Sequence, residues 1–130
     1  MPKRIILVVE DDPTLQMVIR RAIEHLGYQC EVVGSGEEAV KRDSQDIALI
    51  FMDVGLPGIQ GGHAALLIRE KELNEKRKRV PIIALTGHAA RGKCVQAGMD
   101  DYLQKPALMA DLKCMIDRWG CADLKVANCR

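Results

Sequence analysis

Short apolar runs alternate with stretches of helical periodicity along nearly the whole chain. The runs IILVV (5–9), CEVV (30–33), IALIFM (47–52), VPIIAL (80–85) and DYLQ (101–104) predict five β-strands. Apolar residues at helical spacing predict five helices, near 15–26, around 39–40, and at 63–76, 89–97 and 108–119. Val18 and Leu108 are among the residues assigned to the apolar faces of the first and last helices. This alternation is typical of an α/β domain with a parallel sheet.

The length of 130 residues suits one domain with a single core. Crossovers between parallel strands are right-handed, so helices are expected on both faces of the sheet. We therefore predict a flavodoxin-like, doubly wound sheet of five parallel strands in the order 2-1-3-4-5, with five helices. The predicted domain covers residues 1–119, and residues 120–130 are predicted to be a tail or the start of a linker.

The composition argues against several functional classes. A formal net charge of +1 and only 3% aromatic residues do not indicate direct binding of nucleic acid. The basic stretch EKRKR (75–79) is interpreted as a solvated helix C-terminus. No apolar run approaches the roughly 20 residues that span a bilayer, and the five cysteines include no C-x-x-C pair. We therefore expect a cytoplasmic protein with reduced thiols and no membrane contact.

Polar residues follow four of the predicted strands. The acids EDD (10–12) follow the first strand, Asp53 ends the third, Thr86 ends the fourth, and Lys105 follows the fifth. In an open doubly wound sheet, ligands bind beyond the carboxyl ends of the strands. These side chains are therefore expected to converge on one functional edge.

The residue types at this edge indicate a particular chemistry. Crowded acids raise one another's pKa values unless positive charge lies among them. Asp11 and Asp53 supply the hard oxygen ligands that Mg²⁺ prefers, with Glu10 joining directly or through a water. Asp12, next to Pro13, is interpreted as the N-cap of the first helix. A carboxylate beside a metal ion, a lysine and a hydroxyl suits phosphoryl transfer, in which the carboxylate attacks phosphorus in line.

Four segments at these strand ends resemble a known family: ILVVEDDP, LIFMDVGLPG, PIIALTGHA and AGMDDYLQKP. In order and spacing they are similar to the response-regulator receiver domain of two-component signalling, and the resemblance spans residues 3 to about 119. The segments MDVGLPG and ALTGHAARGKCVQAGMDDYLQKP look most like the receiver of a hybrid sensor histidine kinase. The resemblance implies the CheY-like form of the predicted fold.

The resemblance implies a role for each matching position of the acid cluster. It implies that Asp53 is the phosphoacceptor and acts in catalysis together with Lys105. It also implies that Glu10 and Asp11 bind Mg²⁺ together with Asp53 and the backbone carbonyl of Gly55.

Further matching positions concern the switch. The resemblance implies that Thr86 and Lys105 bind the phosphoryl group and that the Tyr102 ring turns inward as the threonine moves. Gly87 matches a position where a small residue leaves access to the phosphoryl group. The peptide bond between Lys105 and Pro106 is expected to be cis.

The implied function is that of a phosphoacceptor in a phosphorelay. The chain itself is not expected to be an enzyme, although the parent chain could be a hybrid histidine kinase. The implied donor is a phosphohistidine on a sensor histidine kinase or a histidine phosphotransfer protein. Phosphorylation would shift a two-state equilibrium, read out around the fourth helix, fifth strand and fifth helix. The sequence does not determine whether phosphorylation drives self-association of the chain.

Two alternative functions fit the sequence less well. A pseudoreceiver, which docks without being phosphorylated, usually lacks one of the site acids or the lysine. In this chain the acids and the lysine are all present. A magnesium-dependent phosphohydrolase similar to the haloacid-dehalogenase type needs a second acid two residues after its aspartyl nucleophile, where this chain has Gly55. The segment VVGSGEEA (32–39) mimics a dinucleotide-binding fingerprint, but it follows the second strand and is interpreted as a plain turn.

Overall fold

The computed structural model describes residues 4–54, 61–87 and 98–120. Its elements in chain order are β1 (Ile5–Val9), α1 (Pro13–His25), β2 (Gln29–Val33), α2 (Gly36–Arg42), β3 (Ile47–Asp53), α3 (Gly61–Glu75), β4 (Ile82–Thr86), β5 (Asp101–Gln104) and α4 (Met109–Trp119). All five predicted strands are present, with ends that differ from the prediction by two residues or fewer. The predicted helix at 89–97 and nearly all of the predicted tail lie outside the described residues. Within the described ranges, no helix combines the length and apolar character needed to cross a membrane.

The five strands form one parallel sheet in the predicted order, β2-β1-β3-β4-β5. β3 lies at the centre, and all seven of its residues are buried. Helices cover both faces of the sheet, so a central strand shows a continuous apolar run rather than an alternating one. The charged residue that ends this run, Asp53, is thereby held at the end of a fully buried strand.

The two faces of the sheet bury separate apolar clusters. On one face α1 and α4 contribute Ile19, Ala22, Ile23, Leu112, Met115 and Ile116. On the other face α2 and α3 contribute Ala39, Ala64, Ala65 and Ile68. In the described part of the chain the sheet is therefore the middle layer of three, with helices packed on both of its faces.

Two residues depart from the predicted helix faces. The spacing assigns Val18 and Leu108 to apolar faces, but 49% of Val18 and 63% of Leu108 are exposed. Val18 lies at the margin of the buried stripe on α1. Leu108 is the N-cap residue of α4, where its backbone N–H donates to Asp111 Oδ2 at 3.2 Å. A cap residue precedes the first turn, so its side chain does not share the buried face of the helix.

Each end of α1 carries a local capping signal. Asp12 Oδ1 accepts a hydrogen bond from the Thr14 N–H at 2.8 Å, and Pro13 is the first helical residue. The prediction that Asp12 caps the helix is confirmed. Gly27, which follows the C-cap residue Leu26, has a φ of 97°, which lies in the left-handed region that favours glycine.

A buried ionic network lies at the amino edge of the sheet. Arg69 of α3 donates to the carbonyl oxygens of Val80 (2.8 Å) and Gly98 (2.9 Å). The same guanidinium pairs with Glu72 at 3.0 Å and with Asp100 at 2.9 Å, and the three charged side chains are only 5 to 12% exposed. The network ties α3 to the segments that lead into β4 and β5.

The basic stretch at 75–79 is only partly solvated. The Arg77 side chain is 11% exposed and lies 2.7 Å from both Asp43 Oδ2 and Glu75 Oε1. Arg79 is 55% exposed and pairs with Asp100 at 2.9 Å. The interpretation of this stretch as a solvated helix end is therefore wrong for Arg77, whose charge is used within the fold.

Arg42, at the end of α2, bridges two carboxylates. It donates to both oxygens of Glu31, at 2.7 and 2.6 Å, and to both oxygens of Asp46, at 3.2 and 3.1 Å. These hydrogen bonds lower the pKa of Glu31 and of Asp46. A carboxylate whose pKa is lowered stabilises the fold above its unfolded-state pKa, and this contribution is lost as the pH falls through the folded-state pKa.

We expect Arg42→Met to lower the free energy of unfolding at neutral pH by on the order of 1 kcal/mol, because partly exposed pairs are screened by solvent. The difference from wild type should shrink as the pH falls from about 4, near the unfolded-state pKa values, through the lowered folded-state pKa values, where both carboxylates become protonated in the folded protein. Urea denaturation at neutral and acidic pH measures this. Arg20→Met, which removes an exposed pair with Glu24 at 3.7 Å, is the control and should have almost no effect. A difference for Arg42→Met that stayed constant with pH would assign the loss to packing instead of charge.

Candidate functional site

The carboxyl edge of the sheet brings together side chains from distant parts of the sequence. Glu10 follows β1, Asp53 ends β3, Thr86 ends β4 and Lys105 follows β5. Asp53 pairs in register with Leu85, the neighbour of Thr86. The Lys105 N–H donates to the Thr86 carbonyl at 2.8 Å. The parallel topology therefore places all four residues at one edge, as predicted.

Three carboxylates form a compact cluster at this edge. Glu10, Asp11 and Asp53 each offer one oxygen, and these oxygens lie within 4.8 Å of one another. Glu10 is 1% exposed and Asp53 is 5% exposed, whereas Asp11 is exposed to solvent. The cluster thus has a buried floor and one open side, from which a small ligand can reach it.

Lys105 supplies positive charge directly to the buried acids. Its Nζ lies 3.0 Å from Glu10 Oε1 and 3.1 Å from Asp53 Oδ2. Burial opposes the charged ammonium, but the contacts with Glu10 and Asp53 outweigh it and raise the pKa of Lys105. Burial also raises the pKa of Glu10, against the opposing effect of Lys105. Three carboxylates against one ammonium leave the cluster with a formal surplus of negative charge.

One oxygen of the Glu10 carboxylate has lone pairs that could bind a cation. Its Oε2 accepts a hydrogen bond from the Asp12 N–H at 3.2 Å. Its Oε1 is buried and, although close to Lys105, accepts no hydrogen bond of good geometry among the described residues. A buried oxygen with spare lone pairs beside two further carboxylates fits a hard divalent cation, because such ions prefer oxygen ligands. The fourth predicted ligand, the carbonyl of Gly55, lies outside the described residues.

The residues predicted to act as a switch lie on or just after β4 and β5, the strands beside β3 on the side of Lys105. Thr86 is 5% exposed, and strand alternation places it on the same face of the sheet as Ala84. Tyr102 pairs in register with Ala84 and packs, partly buried, against the α2–α3 side of the core. A Cβ atom added at Gly87 would meet no described atom within 4 Å. The peptide bond that joins Lys105 to Pro106 is cis, as the resemblance implies.

The sequence does not predict a hydrogen bond that Gln16 makes at the site. The Gln16 side chain donates from Nε2 to the main-chain oxygen of Glu10 at 2.6 Å. Gln16 is one of several polar residues of the amphipathic α1, and its spacing does not distinguish it. The one available signal was its place just after Pro13, where a side chain can reach back to the loop before the helix.

Comparison with known proteins agrees with this arrangement. The sequence matches the family described as "Response regulator receiver domain" over residues 6–117. Hybrid signal transduction histidine kinase G of Dictyostelium discoideum is 39% identical over 121 residues, which cover 88% of this chain and 4% of that protein. The chain therefore spans only a small part of this much longer relative.

Two solved structures are similar over most of both chains. One is the receiver domain of sensor histidine kinase PA1611 from Pseudomonas aeruginosa PAO1, which has a magnesium ion coordinated in its active site cleft. It is 41% identical to this chain with a TM-score of 0.79, and the similarity covers 89% of this chain and 96% of that one. The receiver domain of the response regulator Ssk1 from Saccharomyces cerevisiae, solved with the histidine phosphotransfer protein Ypd1, gives 33% identity and a TM-score of 0.81, covering 92% and 90%. Together with the family match, the fold and the acid cluster, these similarities establish that the chain belongs to the response regulator receiver domain family.

Proposed function

We propose that this chain is a phosphoacceptor of a two-component phosphorelay and that Asp53 accepts the phosphoryl group from a phosphohistidine. The observation that carries the proposal is the position of Lys105 Nζ, 3.1 Å from Asp53 Oδ2 and 3.0 Å from Glu10 Oε1, beside the cluster of carboxylates. Phosphoryl transfer requires positive charge around the oxygens of the transferred group. A lysine and a cation-binding acid pair next to one buried carboxylate meet this requirement.

We propose Mg²⁺ as the cation, held by Glu10, Asp11 and Asp53 together with the carbonyl of Gly55. The magnesium ion in the cleft of the similar PA1611 receiver supports this choice. When bound, the ion would relieve the repulsion among the carboxylates and neutralise charge on the phosphoryl oxygens. Among the described residues, this acid cluster is the group that could hold a metal ion.

The proposed reaction is a single in-line displacement. An oxygen of the Asp53 carboxylate forms a bond to phosphorus while the bond from phosphorus to the histidine nitrogen breaks. The electron pair of the broken bond stays with the histidine. Lys105, whose raised pKa keeps it protonated at neutral pH, stabilises a phosphoryl oxygen and needs to transfer no proton.

The same proposal includes a conformational response. Thr86 and Lys105 would contact the phosphoryl group, with Gly87 leaving room for it, and the Tyr102 ring would follow the movement of Thr86. The pairing of Tyr102 with Ala84, two residues before Thr86, supports such coupling because it puts both side chains on one face of the sheet. The proposed readout surface includes β5 and α4, which is the fifth of the predicted helices. An open cleft of about 340 Å³ lies there.

The proposed donor is a protein that carries a phosphohistidine in the cytoplasm, either a sensor histidine kinase or a histidine phosphotransfer protein. The complex of the similar Ssk1 receiver with Ypd1 supports this class of partner. A donor would approach Asp53 at the carboxyl edge, where α1 begins, and the second turn of α1 exposes Met17 (48%) and Val18 (49%). We propose that this apolar pair contacts the donor.

The receiver domain proposed here covers residues 1–119, with residues 120–130 as tail or the start of a linker.

The proposal is tested with a histidine phosphotransfer domain that carries radiolabelled phosphohistidine. The label should move to this chain in the presence of Mg²⁺ and stay on the donor in EDTA. Replacing both Met17 and Val18 by Ala should slow this transfer by roughly 10-fold, the factor that corresponds to about 1.4 kcal/mol of lost contact energy. The same variant should react with acetyl phosphate at the wild-type rate, because a small donor does not touch α1.

The control is Leu73→Ala, which removes an apolar side chain of α3 that is 80% exposed. It should change neither reaction. If the label stays on the protein donor while acetyl phosphate still reacts, the proposed class of donor is wrong. If neither donor phosphorylates the chain, the phosphoacceptor function is wrong and the unphosphorylated docking module is favoured.

A further inference from the structure

The peptide unit between Glu10 and Asp11 joins two of the proposed metal ligands and lies where the β1–β2 ladder ends. The Glu10 N–H donates to the Val33 carbonyl at 3.1 Å, which is the final rung of this ladder. After Val33 the chain turns away at Gly34 and enters α2. No backbone N–H in the described part of the chain donates to the Glu10 carbonyl. This carbonyl therefore needs another donor, because Glu10 is buried.

Gln16 supplies that donor from α1. Its Nε2 lies 2.6 Å from the Glu10 main-chain oxygen. A Cβ atom added at Gly34 would come to 3.8 Å from the same Nε2, so the Gln16 amide lies beside the point where β2 leaves the sheet. The side chain thus takes the place of the next backbone donor of β2.

We infer that Gln16 is a positioning residue of the proposed magnesium site, an inference that rests on the proposed function. The hydrogen bond to the Glu10 carbonyl holds one planar peptide unit, and that plane sets the direction in which the chain continues to Asp11. The second hydrogen bond at this turn, from the Asp12 N–H to Glu10 Oε2, is local to the turn. The Gln16 side chain ties the Glu10 carbonyl to the body of α1. It does not touch the reacting atoms and acts through Glu10 and Asp11.

Loss of this donor should weaken metal binding, although Gln16 is not itself one of the proposed ligands. With the Glu10 carbonyl unpaired, the peptide plane is free to turn toward water, and the Asp11 carboxylate moves relative to Glu10 and Asp53. Outer groups that orient metal ligands typically change affinity by 10- to 100-fold when they are replaced. We expect Gln16→Met, which keeps the side-chain length and removes the donor, to bind Mg²⁺ roughly 10-fold more weakly, at the low end of that range.

The experiment is isothermal titration of Mg²⁺ into the full chain, with urea denaturation of the same proteins in EDTA. Gln16→Ala is the second variant in case Gln16→Met does not fold. The matched control is Gln29→Met, the same change at an exposed position at the start of β2, the amino edge of the sheet. The two Gln16 variants should bind Mg²⁺ more weakly, and Gln29→Met should bind it as wild type does. A purely structural role would lower the free energy of unfolding and leave the Mg²⁺ affinity of the folded protein unchanged.

The outcomes separate this inference from the proposed function. If wild type binds Mg²⁺ and both Gln16 variants bind it equally well, the inference is overturned and the proposed function stands. An equal loss of affinity in Gln29→Met would also overturn it, since the effect would not be specific to the Glu10 carbonyl. If wild type binds no Mg²⁺, the proposed metal site is wrong and the inference fails with it.

Discussion

Incubation with acetyl phosphate and Mg²⁺ should add one phosphoryl group to the wild-type chain and none to Asp53→Asn. The substitution keeps the size of the side chain but replaces the carboxylate, the only part of it that can attack phosphorus, by a neutral amide. Glu10, whose Oε1 lies 3.0 Å from Lys105 Nζ in wild type, is unchanged in the variant, so the partly buried ammonium keeps a carboxylate partner. Intact mass spectrometry counts the phosphoryl groups, and omission of Mg²⁺ should abolish the wild-type adduct.

Asp12→Asn is the matched control for this experiment. It makes the same chemical change next to the site, at the residue that caps α1 through a hydrogen bond from the Thr14 N–H. Asparagine caps helices about as well as aspartate, so this variant should fold and accept the phosphoryl group normally. A full-yield adduct on Asp53→Asn would show that another acid is the acceptor. Absence of any adduct on wild type would instead favour a docking module that works without phosphorylation.

The order of the sheet could be predicted because each strand carries its own local signal. β3 is the clearest case: seven residues, all buried, whose sequence is apolar without a period of two until Asp53. The errors fall at helix margins. Spacing alone puts Val18 and Leu108 on apolar faces, but which turn of a helix reaches the sheet depends on the distance and angle at which the helix packs. Those quantities are set by the whole core, and no short window of sequence contains them.

The candidate site likewise has features that the sequence predicts and features that it does not. Residues at strand ends could be placed together because a parallel sheet brings all carboxyl ends to one edge, which is why Asp53 and Lys105 were expected to meet. The contact of Gln16 with the Glu10 carbonyl could not be predicted, because a carbonyl is present at every position and gives no pattern. The direct pairing of Lys105 with Glu10 was also missed, since the lysine was expected to act on the phosphoryl group alone.

Arg69→Met should cost roughly 3 to 5 kcal/mol of the free energy of unfolding, the range seen when one partner of a buried ion pair is removed. The substitution leaves the Glu72 and Asp100 carboxylates, 5% and 11% exposed, without their shared cation. It also removes the donors to the Val80 and Gly98 carbonyls. Glu72 keeps its hydrogen bond from the Val80 N–H at 2.6 Å, which limits the loss. Urea denaturation of the two proteins measures the difference.

Arg79→Met separates burial from charge in this network. Arg79 pairs with the same Asp100 at 2.9 Å, but its side chain is 55% exposed, against 12% for Arg69. Exposed pairs contribute about 0 to 1 kcal/mol, so Arg79→Met should lose no more than this. Equal losses in the two variants would show that Arg69 is worth no more than a surface pair. A large loss in Arg69→Met alone would mean that this network holds α3 and the starts of β4 and β5 together at the amino edge. The response proposed for Thr86 and Lys105 takes place at the opposite, carboxyl edge of the same sheet.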